Sequence, residues 1–309
     1  MDLSVNLAPR HKLELQLRNP VMTGSGTFSN GTELAKHFDI DQLGGIVSKG
    51  TTLRPRRGNP TPRTIETAAG MINAIGFQNI GVGALIRNVA PVWARWNVPA
   101  IVNIMGDNVA EYGVLAQRLD GIDGVAALEV NISCPNVKAG GDQFGQDPVQ
   151  AAKVTAAVKK RAGNKPVLVK LSPNVTNLGT IAKAVEDAGA DMLCCINTLK
   201  GMAVDVRTRK PRLANVVGGL SGPAIKPVAL RCVWEASRAV NIPVIGLGGI
   251  TTTEDILEFI LAGAWAVQVG TANFLRPDAA FRMVEELPGV MEQLGVKSLK
   301  ELRGSLQTA

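Results

Sequence analysis

Residues 244–270, VIGLGGITTTEDILEFILAGAWAVQVG, decide the fold, because they predict a strand, a helix and a second strand in succession. The apolar run 244–248 ends in glycine, and the run 266–270 does the same. Between them, residues 251–255 offer helix-capping side chains and early carboxylates, residues 256–260 supply an apolar helix face, and Gly263 ends the helix. This order is typical of a parallel βαβ unit.

The same alternation of apolar runs and amphipathic stretches extends over most of the chain. The predicted strands are residues 21–26, 45–50, 100–106, 128–134, 167–172, 192–198, 244–248 and 266–270. Eight such units predict an α/β protein with a (β/α)₈ TIM barrel, formed by residues 1–309 as a single domain, with catalytic loops after the strands' carboxyl ends. A doubly wound open sheet is the alternative, but its usual Gly-x-Gly-x-x-Gly signal after the first strand is missing.

Three stretches depart from this alternation. Residues 4–18 alternate as a small N-terminal hairpin, whereas residues 51–79 and 199–220 read as insertions. Both insertions follow predicted strands on the catalytic face, where long loops commonly cover a substrate.

The composition indicates a globular protein: the 309 residues are 46% hydrophobic and 19% charged. The start of the chain lacks the order of a secretion signal, and no apolar stretch is long enough for a membrane helix, so we expect a cytoplasmic protein without membrane association. Four cysteines without paired spacings predict reduced thiols rather than disulfides, and no metal site is expected.

The net charge of +7 raises the question of nucleic-acid binding. The one dense basic cluster, residues 54–57 with Arg63, runs into turn-forming residues 58–60 and has no aromatic side chains to stack on bases. We therefore interpret it as a solvated loop and expect no nucleic-acid partner. The overall positive field favours an anionic substrate and a phosphate-bearing cofactor.

The segment 129–136, EVNISCPN, carries the most chemical information. A buried strand ends here in Asn131, Cys134 and Asn136 and then enters a loop that contains glycine. A lone cysteine in this position is usually a small core residue. Amides at a barrel mouth are poor core fillers, however, and they supply donors and acceptors for a planar ligand rich in amide groups.

Two lysines interrupt apolar strands near their ends, Lys49 in VSKG and Lys170 in VKLSP. A buried charge costs free energy unless it is paired, so a functional role is favoured over a structural one. Glycines at positions 248, 249 and 270, with Thr271, place backbone N–H groups where barrel enzymes often bind phosphate.

Residues 131–136, Asn-Ile-Ser-Cys-Pro-Asn, resemble the active-site loop of class 1 dihydroorotate dehydrogenases, and the similarity extends over almost the full length. The resemblance implies oxidation of dihydroorotate to orotate in pyrimidine (UMP) biosynthesis, with one FMN per chain. Cys134 would be the catalytic base that takes a proton from ring carbon 5, while the hydride on carbon 6 passes to the flavin; Lys49 would assist. Class 2 enzymes use serine at this position.

The remaining site residues are implied by the same residue-by-residue match. Block 73–79 resembles the family's substrate-binding loop, with Phe77 where leucine is more usual, and residues 197–198 resemble the second wall of the substrate site. The implied substrate contacts are Lys49, Asn73, Ala74, Ile75, Gly76, Phe77, Asn131, Asn136, Asn197 and Thr198. The implied cofactor contacts are Ser25, Lys49, Gly50, Asn103, Asn131, Lys170, Ile196, Gly222, Gly248, Gly249, Gly270 and Thr271.

Within the family, residues 137–141 and the block 76–79 look most like subtype 1B, which passes electrons to NAD. This implies an iron–sulfur flavoprotein subunit that carries FAD and a 2Fe-2S cluster, in a heterotetramer of two catalytic and two electron-transfer chains. Three alternatives stay open: a fumarate-dependent class 1A enzyme, a non-redox phosphate-binding barrel with Lys170 as a Schiff-base nucleophile, and a binding protein without turnover.

Overall fold

A closed barrel of eight parallel strands forms the centre of the computed structural model, which describes residues 2–133 and 141–307, without the side chains of residues 141–143. Each strand pairs with the next along the chain, and the last pairs with the first. The predicted barrel is confirmed, and the last pairing excludes an open sheet. The strands are β1 Val21–Thr23, β2 Gly45–Val47, β3 Ala100–Ile104, β4 Ala127–Asn131, β5 Val167–Leu171, β6 Met192–Cys195, β7 Val244–Leu247 and β8 Ala266–Val269.

All eight predicted strands are present, but each ends earlier than the sequence pattern predicts. The residues that follow the last ladder positions are mostly glycine, serine and other polar types, which turn away from the sheet and form the mouth of the barrel. The sequence pattern does not distinguish a polar strand end from the first residues of the loop.

Helices surround the barrel and join successive strands. They are α1 Gly81–Asn88, α2 Ala90–Trp93, α3 Val109–Leu119, α4 Gly141–Gln146, α5 Pro148–Lys159, α6 Leu178–Asp187, α7 Lys226–Ala239, α8 Thr253–Leu261, α9 Ala272–Leu275, α10 Ala279–Gln293 and α11 Leu299–Leu302. Short 3₁₀ turns occur at Leu34–Lys36, Ile40–Gln42 and Pro223–Ile225. No helix in the described ranges is long and apolar enough to span a bilayer.

Helix α8 begins and ends as the sequence predicts. The Thr252 side chain accepts a hydrogen bond from the N–H of Asp255, and the Asp255 carboxylate accepts one from the N–H of Thr252, which completes a capping box. After the helix, Gly263 adopts a φ of +115°, a conformation that side chains rarely allow. The Lys226 ammonium lies 2.6 Å from the Asp255 carboxylate and ties α7 to this cap.

The predicted N-terminal hairpin is also confirmed, and it closes the amino end of the barrel. Val5–Asn6 pairs antiparallel with Gln16–Leu17. Its buried side chains pack among inward-facing strand residues, including Ala127, Met192 and Ala266, the first residues of three strands. The hairpin therefore acts as an apolar plug that excludes water from this end.

The two predicted insertions meet at the opposite end. They form one antiparallel sheet in the order Leu199–Met202, Val217–Ser221, Gly70–Asn73 and Thr64–Thr67. Val204–Asp205 pairs separately with Lys210–Pro211. Because the insertions follow β2 and β6, this sheet stands over the carboxyl ends of the barrel strands.

Candidate active site

A cavity of about 770 Å³ opens at the carboxyl end of the barrel. Its volume lies within the range usual for small-molecule and cofactor sites. Every barrel strand, or the loop that follows it, contributes to the wall, through Ser25, Lys49, Asn103, Asn131, Lys170, Ile196, Gly248 and Gly270. The walls therefore combine lysines, amides and bare glycine backbone in one space.

Most of the predicted site residues that the structure describes lie together in this wall. They are Ser25, Lys49, Gly50, Asn73, Ile75, Gly76, Phe77, Asn103, Asn131, Lys170, Ile196, Asn197, Thr198, Gly222, Gly248, Gly249, Gly270 and Thr271. Ala74 is the exception: it is buried with Ile72 and Leu213 behind the wall. The predicted base Cys134 and the predicted substrate contact Asn136 lie outside the described residues.

A chain of amides forms the floor beside the end of β4. Asn131 Nδ2 lies 3.4 Å from Asn103 Oδ1, and Asn197 Nδ2 lies 3.3 Å from Asn131 Oδ1. Asn197 also donates to the hydroxyl of Ser133 at 2.9 Å, and the Tyr112 hydroxyl donates to the Asn131 carbonyl at 2.7 Å. These contacts fix the amide planes, so the floor offers donors and acceptors in set positions.

Below this amide floor, a layer of charged and polar side chains crosses the barrel interior. The carboxylate of Glu129 accepts hydrogen bonds from Asn103 Nδ2 at 2.6 Å and from Gln268 Nε2 at 2.7 Å. Lys170 Nζ lies 3.8 Å from the same carboxylate and 3.1 Å from the Ser25 hydroxyl. Sequence reasoning missed Glu129 and Gln268. Both could have been found by the criterion that was applied to Lys170, because each is a polar residue within an apolar strand.

Glycines shape the opposite side of the cavity. Gly249 has a φ of +78°, and a Cβ there would lie 2.7 Å from the backbone of Lys226. Gly222 has a φ of +99°, and its Cβ would meet the Cα of Gly70 at 2.6 Å. Among the described residues, a Cβ at Gly270 would contact only the Leu247 side chain, at 3.7 Å, so it would extend into the cavity. The first two glycines are required by close packing, and the third leaves space for a ligand.

The loop 74–79 folds over the cavity from the side of β2. A Cβ on Gly50 would lie 2.5 Å from the Phe77 ring, so the ring packs where this glycine has no side chain. Phe77 has a φ of +56°. Asn79 belongs to the predicted block 73–79, although no role was predicted for its side chain. It holds the loop: its Nδ2 donates to the Phe77 carbonyl at 2.7 Å and to the Thr52 hydroxyl at 2.9 Å.

Cations line the rim as well as the floor. Arg56, Arg57 and Arg63 belong to the basic cluster interpreted from sequence as a solvated loop, yet all three line the cavity. Arg56 pairs with Asp107 at 2.6 Å, and Arg63 donates to Gln78. Arg54 and Arg57 are exposed, and Arg56 and Arg63 are half-buried, so the cluster is solvated as interpreted. What the sequence did not predict is that the insertion folds back over the mouth of the cavity. The rim favours the entry of an anion.

The three described cysteines, Cys194, Cys195 and Cys232, are buried and free. Burial raises the pKa of the Cys194 thiol well above its usual range, and the negative charge of Glu129 raises it further. Burial likewise raises the pKa of Cys195, and that of Cys232 to about 11. None of these thiols is suited to accept a proton from a substrate near neutral pH.

The dihydroorotate dehydrogenase family model matches residues 10–291 of the chain. The chain belongs to the dihydroorotate dehydrogenase family. It is 58% identical to a protein of Maridesulfovibrio salexigens over 99% of both chains, and 60% identical to one of Solidesulfovibrio magneticus over 95% of this chain and 96% of the other. A protein of Pelobacter propionicus is 57% identical over 99% of both chains. All three relatives are named dihydroorotate dehydrogenase B (NAD(+)), catalytic subunit.

Membership of this family agrees with the resemblance found in the sequence. It also gives the cavity a chemical context, since the family's name specifies a dehydrogenase that acts on dihydroorotate. The names of the relatives also specify NAD(+), and they describe each relative as a catalytic subunit.

Proposed function

We propose that this protein binds one FMN in the cavity and oxidises dihydroorotate to orotate, with its electrons passing through a second subunit to NAD. The observation that carries the proposal is the convergence of all eight strands on one cavity with two chemically different sides. Glycine backbone lines one side, and lysines and amides line the other.

The described residues fit FMN. Gly248, Gly249, Gly270 and Thr271 form the glycine-lined side, and the cradle that a Cβ on Gly270 would fill suits a phosphate. Lys170, Asn103 and Ser25 form the polar floor, where a cation and fixed amides suit the flavin pyrimidine ring. When bound, FMN supplies the two-electron oxidising chemistry that no side chain provides.

The amide floor also suits the substrate. A dihydroorotate ring alternates carbonyl and N–H groups, which match the donors and acceptors of Asn73, Asn131 and Asn197. Lys49 lies in the same wall, where its ammonium complements the substrate carboxylate. The loop with Phe77 would exclude water above the ring.

Cys134 is proposed to remove the proton from ring carbon 5. It follows directly after Ser133, whose hydroxyl accepts a hydrogen bond from Asn197 at 2.9 Å. The chain therefore leaves β4 at the floor of the cavity immediately before the proposed base. A positioned general base contributes about 10²–10⁴-fold to a rate.

The electron route is proposed to use a partner, because the sequence has no dinucleotide fingerprint of its own. The relatives' names, with NAD(+) and a catalytic subunit, support this route. The partner would be an iron–sulfur flavoprotein that carries FAD and a 2Fe-2S cluster, in an assembly of two catalytic and two electron-transfer chains.

We also propose that residues 1–309 act as one domain. The hairpin packs inside the barrel, and α10 and α11 pack against α8 through Leu257, Leu287, Met291 and Leu299. Through these contacts, the N-terminal hairpin and the C-terminal helices of the described chain pack against the barrel, which supports a single domain.

The test is to purify the chain, measure the FMN released on denaturation, and follow NADH formation from dihydroorotate with and without the electron-transfer subunit. We expect one FMN per chain and NADH only with the partner. Colourless protein that FMN does not reconstitute would favour a non-redox barrel. Rapid fumarate reduction by the isolated chain would instead indicate the class 1A reaction.

A further inference from the structure

The charged layer below the cavity floor contains a carboxylate to which the proposed chemistry assigns no role. Glu129 lies in the middle of β4, directly opposite Asn103 on β3, and is completely buried. Lys170 on β5 is 3% exposed and reaches Glu129 from the side, while Gln268 reaches it from β8. Four strands therefore meet through one side chain.

Both carboxylate oxygens of Glu129 are engaged by donors. Asn103 Nδ2 donates to Oε1 at 2.6 Å, Gln268 Nε2 donates to Oε2 at 2.7 Å, and Lys170 Nζ lies 3.8 Å from Oε1. Asn103, Gln268 and Lys170 present N–H groups to Glu129, and the Cys194 thiol is a further hydrogen-bond donor, so both carboxylate oxygens serve as acceptors. Lys170 and Asn103 also line the cavity, so Glu129 touches two groups that face the ligand.

Filling the barrel interior with charged side chains is less favourable in free energy than filling it with apolar ones. Removing two charges from water costs free energy, and apolar residues of similar volume often stabilise a protein as well or better. The amino end of this barrel is filled in that way, by residues such as Met22, Ile101 and Leu168. The carboxylate therefore has a use other than stability.

We propose that Glu129 is a positioning residue that holds Lys170 and Asn103 against the flavin and offsets the charge of Lys170, and so sets the flavin's reduction potential. The inference rests on the proposed binding of FMN. An ammonium beside the pyrimidine ring favours the anionic reduced flavin, and a carboxylate beside that ammonium weakens its field. Glu129 thus lowers the potential and keeps electrons available to a partner.

The test is the midpoint potential of the bound flavin, measured by anaerobic redox titration of the holoenzyme through its visible absorbance. In Glu129→Gln we expect the equilibrium for flavin reduction to shift at least tenfold toward the reduced form, about 30 mV for a two-electron couple. Lys170→Met should shift it in the opposite direction. Adding Glu129→Gln to Lys170→Met should raise the potential again.

Asp191→Asn is the matched control. This carboxylate pairs with Lys159 at 2.7 Å and precedes β6 at the opposite end of the barrel. The same loss of charge there should leave the potential unchanged.

The two half-reactions give a second measurement that a merely structural effect would not reproduce. With a higher potential, Glu129→Gln should be reduced by dihydroorotate at least as favourably as the parent, but should pass electrons to the partner more slowly. General damage to the fold would slow both steps.

A Glu129→Gln variant that retains FMN at the parent potential, or below it, would overturn the inference. If that variant does not retain FMN, the effect of the same carboxylate is measured by comparing the midpoint potential of Lys170→Met with that of Glu129→Gln/Lys170→Met. Equal potentials in these two variants would also overturn the inference. A parent protein that binds no FMN, or is not reduced by dihydroorotate, would instead contradict the proposed function.

Discussion

The two ends of the barrel interior are built on the same eight strands but contain opposite chemistry. At the amino end, the N-terminal hairpin inserts Leu7, Leu15 and Leu17 among apolar strand residues. Toward the carboxyl end, the interior changes to Asn103, Glu129, Lys170 and Gln268, followed by the cavity. Apolar burial stabilises the first end, whereas buried polar groups cost free energy at the second.

This difference separates stability from function along a single axis. Substitutions at the plugged end should change the free energy of unfolding and leave the chemistry of folded molecules intact. Substitutions at the open end should change the chemistry and leave the free energy of unfolding nearly unchanged. Each of the following variants tests one side of that separation.

The largest effect is expected at the open end, in Cys134→Ala. Loss of the proposed base should slow flavin reduction by dihydroorotate by about 10²–10⁴-fold, with FMN content and the urea midpoint unchanged. Anaerobic stopped-flow absorbance measures the rate. Reduction at nearly the parent rate would assign the base to another group.

At the plugged end, Leu7→Ala should lower the free energy of unfolding by about 2–5 kcal/mol, because it removes a completely buried side chain and leaves a cavity. Flavin reduction per folded molecule should stay at the parent rate. Leu13→Ala is the control in the same hairpin, since Leu13 is 48% exposed, and it should change stability by no more than about 0.5 kcal/mol. Equal urea midpoints for the two variants would contradict the plug.

A smaller effect is expected for Gly270→Val, which should weaken FMN binding at least tenfold because the side chain would project into the proposed phosphate space. FMN content after gel filtration and fluorescence titration measure the loss. The control is Gly289→Val on α10, where, apart from its chain neighbours and its own helix backbone, no atom of the described part of the chain lies within 4 Å of a Cβ. Parent-like FMN retention by Gly270→Val would place the phosphate elsewhere.

The smallest effect concerns the cap of α8. Burial alone would raise the pKa of Asp255, but hydrogen bonds from Lys226 and from the N–H groups of Thr251 and Thr252 hold it below its ordinary value. A lowered folded-state pKa contributes stability that is fully present above the ordinary carboxyl pKa and is lost as the pH falls through the folded value.

Asp255→Asn should therefore cost about 1 kcal/mol at neutral pH, the size expected when a charged hydrogen-bond acceptor is replaced by a neutral one, and progressively less toward acid. Urea unfolding at several pH values between neutrality and the acid limit measures this difference. A cost that is independent of pH over the acid range would argue against a role for the Asp255 charge. Asp187→Asn, an exposed carboxylate on α6, is the control.

Much of the fold follows from local patterns. Apolar runs, capping residues and the stop at Gly263 were sufficient to predict the strands, helix α8 and the hairpin. The pairing of Gly70–Asn73 with Val217–Ser221 was not predicted, because it joins two insertions that are far apart in the sequence. Local propensity carries no information about such a partner.

The candidate site shows the same limit. Lys49 and Lys170 stood out because each breaks the apolar pattern of its strand, and Gly248, Gly249 and Gly270 because barrel enzymes often bind phosphate there. Most of the other contacts were implied only by the resemblance to the family. Glu129 and Gln268 break the pattern as clearly, but their role depends on contacts across the barrel, which only the closed structure brings together. The rim position of Arg57 likewise depends on how the insertion folds back.

The proposed oxidation is tested most directly by anaerobic addition of dihydroorotate to the purified, FMN-loaded chain, followed through the flavin's visible absorbance. We expect the yellow absorbance of the parent protein to bleach, with one orotate formed per FMN reduced. The flavin of Leu7→Ala should bleach at the parent rate, whereas that of Cys134→Ala should bleach at least about 10²-fold more slowly. If dihydroorotate leaves the bound flavin oxidised in the parent protein, the proposed dihydroorotate dehydrogenase activity is contradicted.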